Sequence, residues 1–524
     1  MPTATPRTVD EVLRISAQRD PDRTALRFRE RRWSYRELDL AVDRVAARLR
    51  ERGLRPGDRV AAFGRNSDAY LVLFLACSRA GLVHVPVNYN ARAAEVGHML
   101  SQSGSGALFA DPSCLAAAGL DGGGGRGPGA GPGPGVRGTL REGAGDDVLA
   151  WAASGPVEPL RSAAEPDGLA QLLYTSGTTS APKGAMLSHR ALLDEYATCV
   201  DTLDLARDDV PLHALPLYHS AQMHVFLLPY LAVGATNHLV DGADAGDLLR
   251  RVEADGATSF FAPPTVWIDI ERHPDFARRD LSTLRKAYYG AAAMPVAVLA
   301  RLRETLPRVG FYNIFGQTEA GPLTAVLRPE EHRERPASVG LPVPRVQLRV
   351  VDAQMNDVAA GERGEVVYRS SQLCSGYWRM PDETEAAFAG GWFHSGDLAY
   401  RDEEGYLYVV DRIKDVINSG GVLIASREVE EALYSHPAVA EAAVIATPHP
   451  RWVEAVTAVV VARGEASAHE LIEHVRARLS PQKAPKAVHF VERLPRNPSG
   501  KVLKRELRER FGGVASAVAC AQRV

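Results

Sequence analysis

The segment from Ser34 to Gly53, SYRELDLAVDRVAARLRERG, places Leu38, Val42, Val45 and Leu49 at helical spacing. Ser34 and Glu37 stand at capping-box spacing ahead of them and Gly53 supplies a stop, so the pattern predicts an amphipathic helix. A short apolar strand, DRVAAFG, and an apolar helix, AYLVLFLACSRAG, come next. Alternation of this kind predicts a layered α/β domain with mostly parallel sheets and helices against them. From GYLYVVDRIKD onward the pattern changes to short strands and helices: SREVEEALYSHP, AEAAVIATP, TAVVVARG, HELIEHVRARL and VHFVERLP. This predicts a small C-terminal α+β domain of roughly a hundred residues. We set the domains at 1–411 and 412–524, joined by a short hinge because no long Pro/Gly linker precedes the junction. Residues 119–138, GLDGGGGRGPGAGPGPGVRG, have few side chains to bury and many glycines, and read as a flexible surface insertion.

At 524 residues the chain exceeds the ~100–200 residues usual for one domain, so at least two cores are expected. A formal charge of −3 gives no electrostatic reason to propose nucleic acid as a partner. The cysteines, Cys77, Cys114, Cys199, Cys374 and Cys520, show neither CxxC spacing nor an even-numbered framework, which argues for a reducing compartment without a zinc site or disulfide scaffold. The N-terminus lacks the basic-then-apolar order of a signal peptide, and the apolar run AYLVLFLAC is far shorter than the ~20 residues that span a bilayer. A cytoplasmic protein without an integral membrane segment is expected.

The chemistry begins at YTSGTTSAPKGAM. Hydroxyls of Thr175, Ser176, Thr178 and Thr179, backbone N–H groups around Gly177 and the ammonium of Lys183 can complement several phosphate oxygens. The spacing is not that of a P-loop, because Lys183 is followed by Gly184 and no helix start follows. The string resembles the phosphate-binding loop of the ANL adenylate-forming superfamily, which includes acyl-CoA synthetases, peptide-synthetase adenylation domains and firefly-type luciferases. The family form is close to YTSGTTGxPKG, so Ser180 stands where glycine is common.

The resemblance continues in order along the chain. In FYNIFGQTEAG, Phe315 offers a stacking face for adenine, Gly316 close approach, Gln317 a neighbouring nucleotide contact, Thr318 a donor to the α-phosphate and Glu319 a hard oxygen for Mg2+. Phe315 replaces the more frequent tyrosine. The segment YYGAAAMP puts Gly290, Ala291 and Ala292 along the adenine and the acid pocket, where a tight strand-to-helix turn also suits small residues. Asp397 in GGWFHSGDLAY resembles the family's ribose-binding aspartate, and Arg412 in VVDRIKD its arginine near ribose and phosphates. Lys501 in LPRNPSGKVLKREL resembles the lysine that binds the substrate carboxylate and the α-phosphate during adenylation.

By the same resemblance His219 in LPLYHSAQMH gates acid pocket and thiol tunnel, Lys414 marks the hinge, and Gly421 lines the pantetheine tunnel. Thr175 joins Glu319 as a metal-side residue. Ser426 stands where proline is frequent, and its hydroxyl is expected to cap the following helix. The resemblance implies an ATP-dependent acyl-CoA synthetase that forms acyl-AMP with release of pyrophosphate and passes the acyl group to coenzyme A. The partners are then a small-molecule carboxylic acid, ATP, Mg2+ and CoA, with a homodimer left open. A stand-alone acyl-AMP ligase loading a carrier protein or another nucleophile is the alternative; Lys483 and Lys486 in SPQKAPK read first as solvated lysines and second as contacts for the CoA 3′-phosphate. No aspartate occurs in LPLYHSAQ or FFAPPTVW to hold an α-ammonium, which favours a fatty or aryl acid over an amino acid.

Overall fold

A computed structural model describes residues 5–120, 135–141, 146–154, 158–175, 182–292, 294–419, 422–496 and 502–512. Ser176, Gly177, Thr178, Thr179, Ser180, Gly421 and Lys501 lie outside the described residues, as does most of the Gly/Pro-rich insertion.

The predicted amphipathic helix runs Tyr35–Glu51, with the reciprocal Ser34/Glu37 capping box formed and Leu38, Val42, Val45 and Leu49 buried. It packs on the helix Asp68–Ala80, every residue of which is buried, as an all-round apolar sequence requires. Arg79, which ends the apolar run in the sequence, is fully buried and not a surface residue. Its guanidinium meets the carboxylates of Asp10, Asp39 and Asp43 at 3.1, 2.6 and 2.9 Å. Such a cluster compensates the large cost of burying a charge, and removing part of it would leave that cost exposed.

Two sheets carry the large α/β region. The first orders Val136–Thr139, Ala107–Ala110, Arg59–Phe63, Val83–Val87, Leu169–Thr175 and Lys183–Ser188; its strands run parallel except for the last pair. The second has nine strands, of which Gly310–Gly316, Lys286–Gly290, Ser259–Ala262, Pro211–His213, Asn237–Leu239 and Thr24–Phe28 are parallel neighbours, with antiparallel strands at both edges. A four-stranded antiparallel sheet follows: Val346–Val351, Gly364–Ser370, Phe393–Arg401 and Leu407–Arg412. The last sheet contains Val422–Ile424, Ile417–Ser419, Val453–Ala462, Val439–His449 and Ala487–Phe490, with its own apolar core around Val429, Leu433, Val444, Val456 and Leu471. A large, mostly parallel α/β part and a small C-terminal part are what the hydrophobic pattern predicts.

One local expectation is corrected. Ser426 does not cap its helix; it is the first residue of Ser426–Tyr434. Its N–H and hydroxyl both donate to Asp411 Oδ2, at 2.6 and 2.7 Å. A carboxylate from the strand Leu407–Arg412 thus occupies the positive helix terminus, a stronger partner than a hydroxyl.

Candidate active site

The candidate residues gather where strands of two sheets end. Leu169–Thr175 in the first sheet and Lys286–Gly290 and Gly310–Gly316 in the second present their carboxyl ends, the usual place for ligands in parallel α/β sheets. Thr175 and Lys183 face each other across the antiparallel pair at the base of the hydroxyl-rich loop. Thr175 Oγ1 donates to Glu319 Oε1 at 3.1 Å, which joins the loop to the FGQTE segment.

Close packing explains the glycines. A Cβ on Gly316 would fall 1.7 Å from Pro322 O, and one on Gly290 2.3 Å from Ile314 O. Only glycine lets these backbones approach so closely. Gly316, Ala291 and Ala292 are exposed and Phe315 is half-buried, so a flat base has an aromatic face and bare backbone on which to lie. Ala291 adopts a left-handed φ of 65° in the turn after its strand. The Gln317 amide nitrogen is buried and has no partner among the described residues.

Glu319 sits in the short helix Thr318–Ala320 and is 8% exposed. Its Oε1 accepts a second hydrogen bond, from Tyr377 OH at 3.0 Å, and its carbonyl accepts from Cys374 N at 2.8 Å. Burial and the Glu319 charge push the Tyr377 hydroxyl well above its ordinary pKa, so it remains a donor at neutral pH. Lys183 Nζ lies 5.3 Å from the centre of the Tyr377 ring, which places a cation over the ring whose hydroxyl bonds Glu319. Thr318 Oγ1 is 3.1 Å from Ser220 Oγ, so the segment carrying His219 abuts the Glu319 turn. His219 is half-buried, and Ser220 leads into a seven-residue π-helix, Ala221–Leu227, a rare form.

Asp397 and Arg412 face each other in adjacent antiparallel strands. Arg412 Nε bonds Asp397 Oδ1 at 2.9 Å, and Nη1 donates to Ser395 O at 2.7 Å. The pair bears on the Glu319 wall, because the Arg412 charge acts on the Tyr377 hydroxyl. Lys414 is exposed in the short turn Ile413–Asp415 just beyond.

Sequence reasoning did not single out Tyr377, Ser220 or Cys374. Tyr377 carried a usable signal, an aromatic with a polar tip in SGYW in the loop that follows the strand Gly364–Ser370. Ser220 and the Cys374 backbone gave none, because their role depends on which segment they meet.

The family model for the AMP-binding enzyme matches residues 13–378, and that for the AMP-binding enzyme C-terminal domain matches residues 428–501. The chain belongs to the AMP-binding enzyme family. This AMP-binding enzyme is 38% identical to a feruloyl-CoA synthase of an Amycolatopsis species over 95% of its length and 97% of that protein's. It is 33% identical to a fatty acid–[acyl-carrier-protein] ligase of Streptomyces coeruleorubidus over 97% of both chains. Among solved structures it resembles an anthranilate CoA ligase in complex with anthranoyl-AMP, with a TM-score of 0.90, 25% identity and 98% of both chains covered. It is an adenylate-forming ligase of the acyl-CoA synthetase type, making acyl-AMP from a carboxylic acid and ATP and passing the acyl group to CoA. Among the described residues, no helix is long and apolar enough to cross a membrane.

Proposed function

We propose that this ligase activates a lipophilic or aromatic carboxylic acid, with Glu319, Thr318, Thr175, Lys183, Asp397, Arg412 and Lys501 forming the adenylating centre. The observation that carries the reading is the Thr175–Glu319–Tyr377 cluster, set beside Thr318 and Ser220 at the carboxyl ends of the strands. The apolar acid preference is supported by the buried Val225, Phe226, Leu227, Phe260 and Phe261 that follow the His219 segment and its neighbouring strand. It is supported too by relatives that act on ferulate and on fatty acids.

The acid attacks as a carboxylate, ionised near neutral pH, so no general base is needed. Two anions must approach, and charge builds on the departing pyrophosphate. Lys183 and Thr175 flank the phosphate side, the Thr318 hydroxyl donates toward the α-phosphate, and Lys501 bridges that phosphate and the carboxylate. Asp397 accepts from the ribose hydroxyls while its bond to Arg412 fixes its orientation. One buried carboxylate with adjacent hydroxyls suits Mg2+, which takes one or two protein oxygens and fills its other positions with phosphate and water. Bound there, Mg2+ would neutralise charge on the phosphate oxygens.

For thioester formation His219 stands between acid and thiol, and the part of the chain from residue 412 turns about Lys414 to exchange Lys501 for the Gly421 segment. The same reading puts the enzyme in the cytoplasm, with CoA as acceptor. The test is to incubate the protein with ATP, Mg2+ and an acid panel, with CoA or hydroxylamine, and to weigh the products. Acyl-CoA at the mass of an apolar acid is the expected result. Hydroxamate without thioester would move the acceptor to a carrier protein, and no product with any acid would overturn the reading.

A further inference from the structure

Glu195 lies on the helix His189–Thr202, directly after the strand that begins at Lys183, and is fully buried. Its carboxyl group points at the turn that follows Glu319. Oε1 accepts from Leu323 N at 2.9 Å and from Cys199 Sγ at 3.4 Å, and Oε2 accepts from Gln372 Nε2. A Cβ on Gly321 would lie 2.8 Å from Oε2, so the turn's backbone rests against this carboxyl group.

Gln372 extends the same hold. It is fully buried, its Nε2 also reaches Leu323 O at 3.2 Å, and its Oε1 accepts from Thr198 Oγ1 at 2.7 Å. Two residues on, Cys374 N donates to Glu319 O at 2.8 Å, and Tyr377 OH bonds the Glu319 carboxylate at 3.0 Å. The Thr318–Ala320 turn is therefore gripped on one side through Ser220 and on the other through Glu195 and Gln372.

A fully buried carboxyl group is costly unless matched, and among the described residues no arginine or lysine pairs with Glu195. An apolar side chain would fill the space at lower cost. What it would not supply is an acceptor for Leu323 N–H and Gln372 Nε2, and orphaned buried donors are themselves costly.

We propose that Glu195 is a positioning residue for the nucleotide half-reaction. Through Leu323 N–H and Gln372 it fixes the turn that carries Thr318 and Glu319 without itself touching ATP or the acid. The inference rests on the reading that Thr318 and Glu319 face the phosphates, and it adds a group that none of the sequence motifs contains.

The test compares Glu195→Leu, which keeps bulk and removes the acceptor, with Glu195→Gln, which retains an acceptor oxygen, and with Gln372→Leu. Mg–ATP binding is measured by calorimetry on the full chain, together with the Mg2+ concentration for half-maximal pyrophosphate release, the KM for the acid, and thioester formation from supplied acyl-AMP. Glu195→Leu should weaken Mg–ATP binding and raise the Mg2+ requirement by roughly tenfold to a hundredfold, the scale of an orphaned buried donor. Acid KM and thioester formation from acyl-AMP should stay within about twofold, the margin left when only the other half-reaction is touched. Glu195→Gln should restore most of the binding, and Gln372→Leu should shift it in the same direction by less. Equal losses in every parameter, or unchanged Mg–ATP binding in both leucine variants, would overturn the proposal. Wild-type protein that binds Mg–ATP but activates no acid would instead count against the proposed function, leaving the positioning role to be decided by the binding series. If Glu195→Leu does not fold, Gln372→Leu decides by the same readouts.

Discussion

Around Glu319 the polar contacts are shared among several segments: Thr175 and Tyr377 meet its carboxylate in part-buried bonds, Cys374 N meets its carbonyl, and Glu195 and Gln372 hold the turn behind it through buried bonds. Where the small sheet meets the large part, the contacts are of another kind. Arg363 pairs with Glu428 at 2.8 Å with side chains 44% and 25% exposed, and Arg427 Nη1 reaches Val409 O at 2.7 Å. The Asp411 bonds to Ser426 are buried there. Partly exposed ion pairs contribute about 0–1 kcal/mol each, whereas buried hydrogen-bond networks lose far more when one member is removed. The difference teaches that the Glu319 turn is held by a shared network, while the junction rests on contacts that cost little to break, as the proposed two-step reaction with a turning C-terminal part would require.

The sharpest way to break this contrast is Glu319→Ala. It should lower acyl-AMP formation at least about a hundredfold, the scale of a lost charge-stabilising group, in pyrophosphate-release assays. An effect no larger than that of a junction mutation would remove the distinction. Asp397→Asn should act next most strongly, raising the KM for ATP about tenfold because one charged acceptor and its ion pair to Arg412 are lost. Steady-state kinetics at fixed acid would check it.

Acid should loosen the large part before the small one. Burial depresses His84 and His224 to about 3, and both bond Gln171 in the strand that ends at Thr175. The folded state keeps them neutral while the unfolded chain binds protons below about 6.5, so stability is full above that pH and is lost as pH falls toward 3. Thermal melts between pH 7 and 5 should show a falling Tm, and Tm rising on acidification would contradict the assignment. Arg363→Ala should do least, changing either half-reaction by less than about threefold, with the effect vanishing at high salt.

Much of this was legible beforehand, for physical reasons that differ between elements. The helix from Tyr35 to Glu51 and the strand after it follow from spacing and a capping box, which are local. The adenylating segments were visible because their chemistry needs hydroxyls, glycines and charges in a fixed local order, and the family match bears out that resemblance. Tyr377, Ser220 and Glu195 were not legible as site residues, since each acts on a segment more than fifty residues away in sequence. Ser426 shows the same limit at shorter range: a hydroxyl at a helix start suggests a cap, but Asp411, fifteen residues earlier, takes that position. Arg79 looked like the end of an apolar helix and proved to be an interior tie, because its partners come from two other helices and their edges.

The most direct test separates the two half-reactions in a Lys501→Ala variant. Acyl-AMP formation from acid and ATP is measured in single turnover, and thioester formation is measured from supplied acyl-AMP and CoA. The proposed two-step reaction with a turning C-terminal part predicts that the first falls at least about a hundredfold while the second stays within about twofold. Equal loss of both would contradict it.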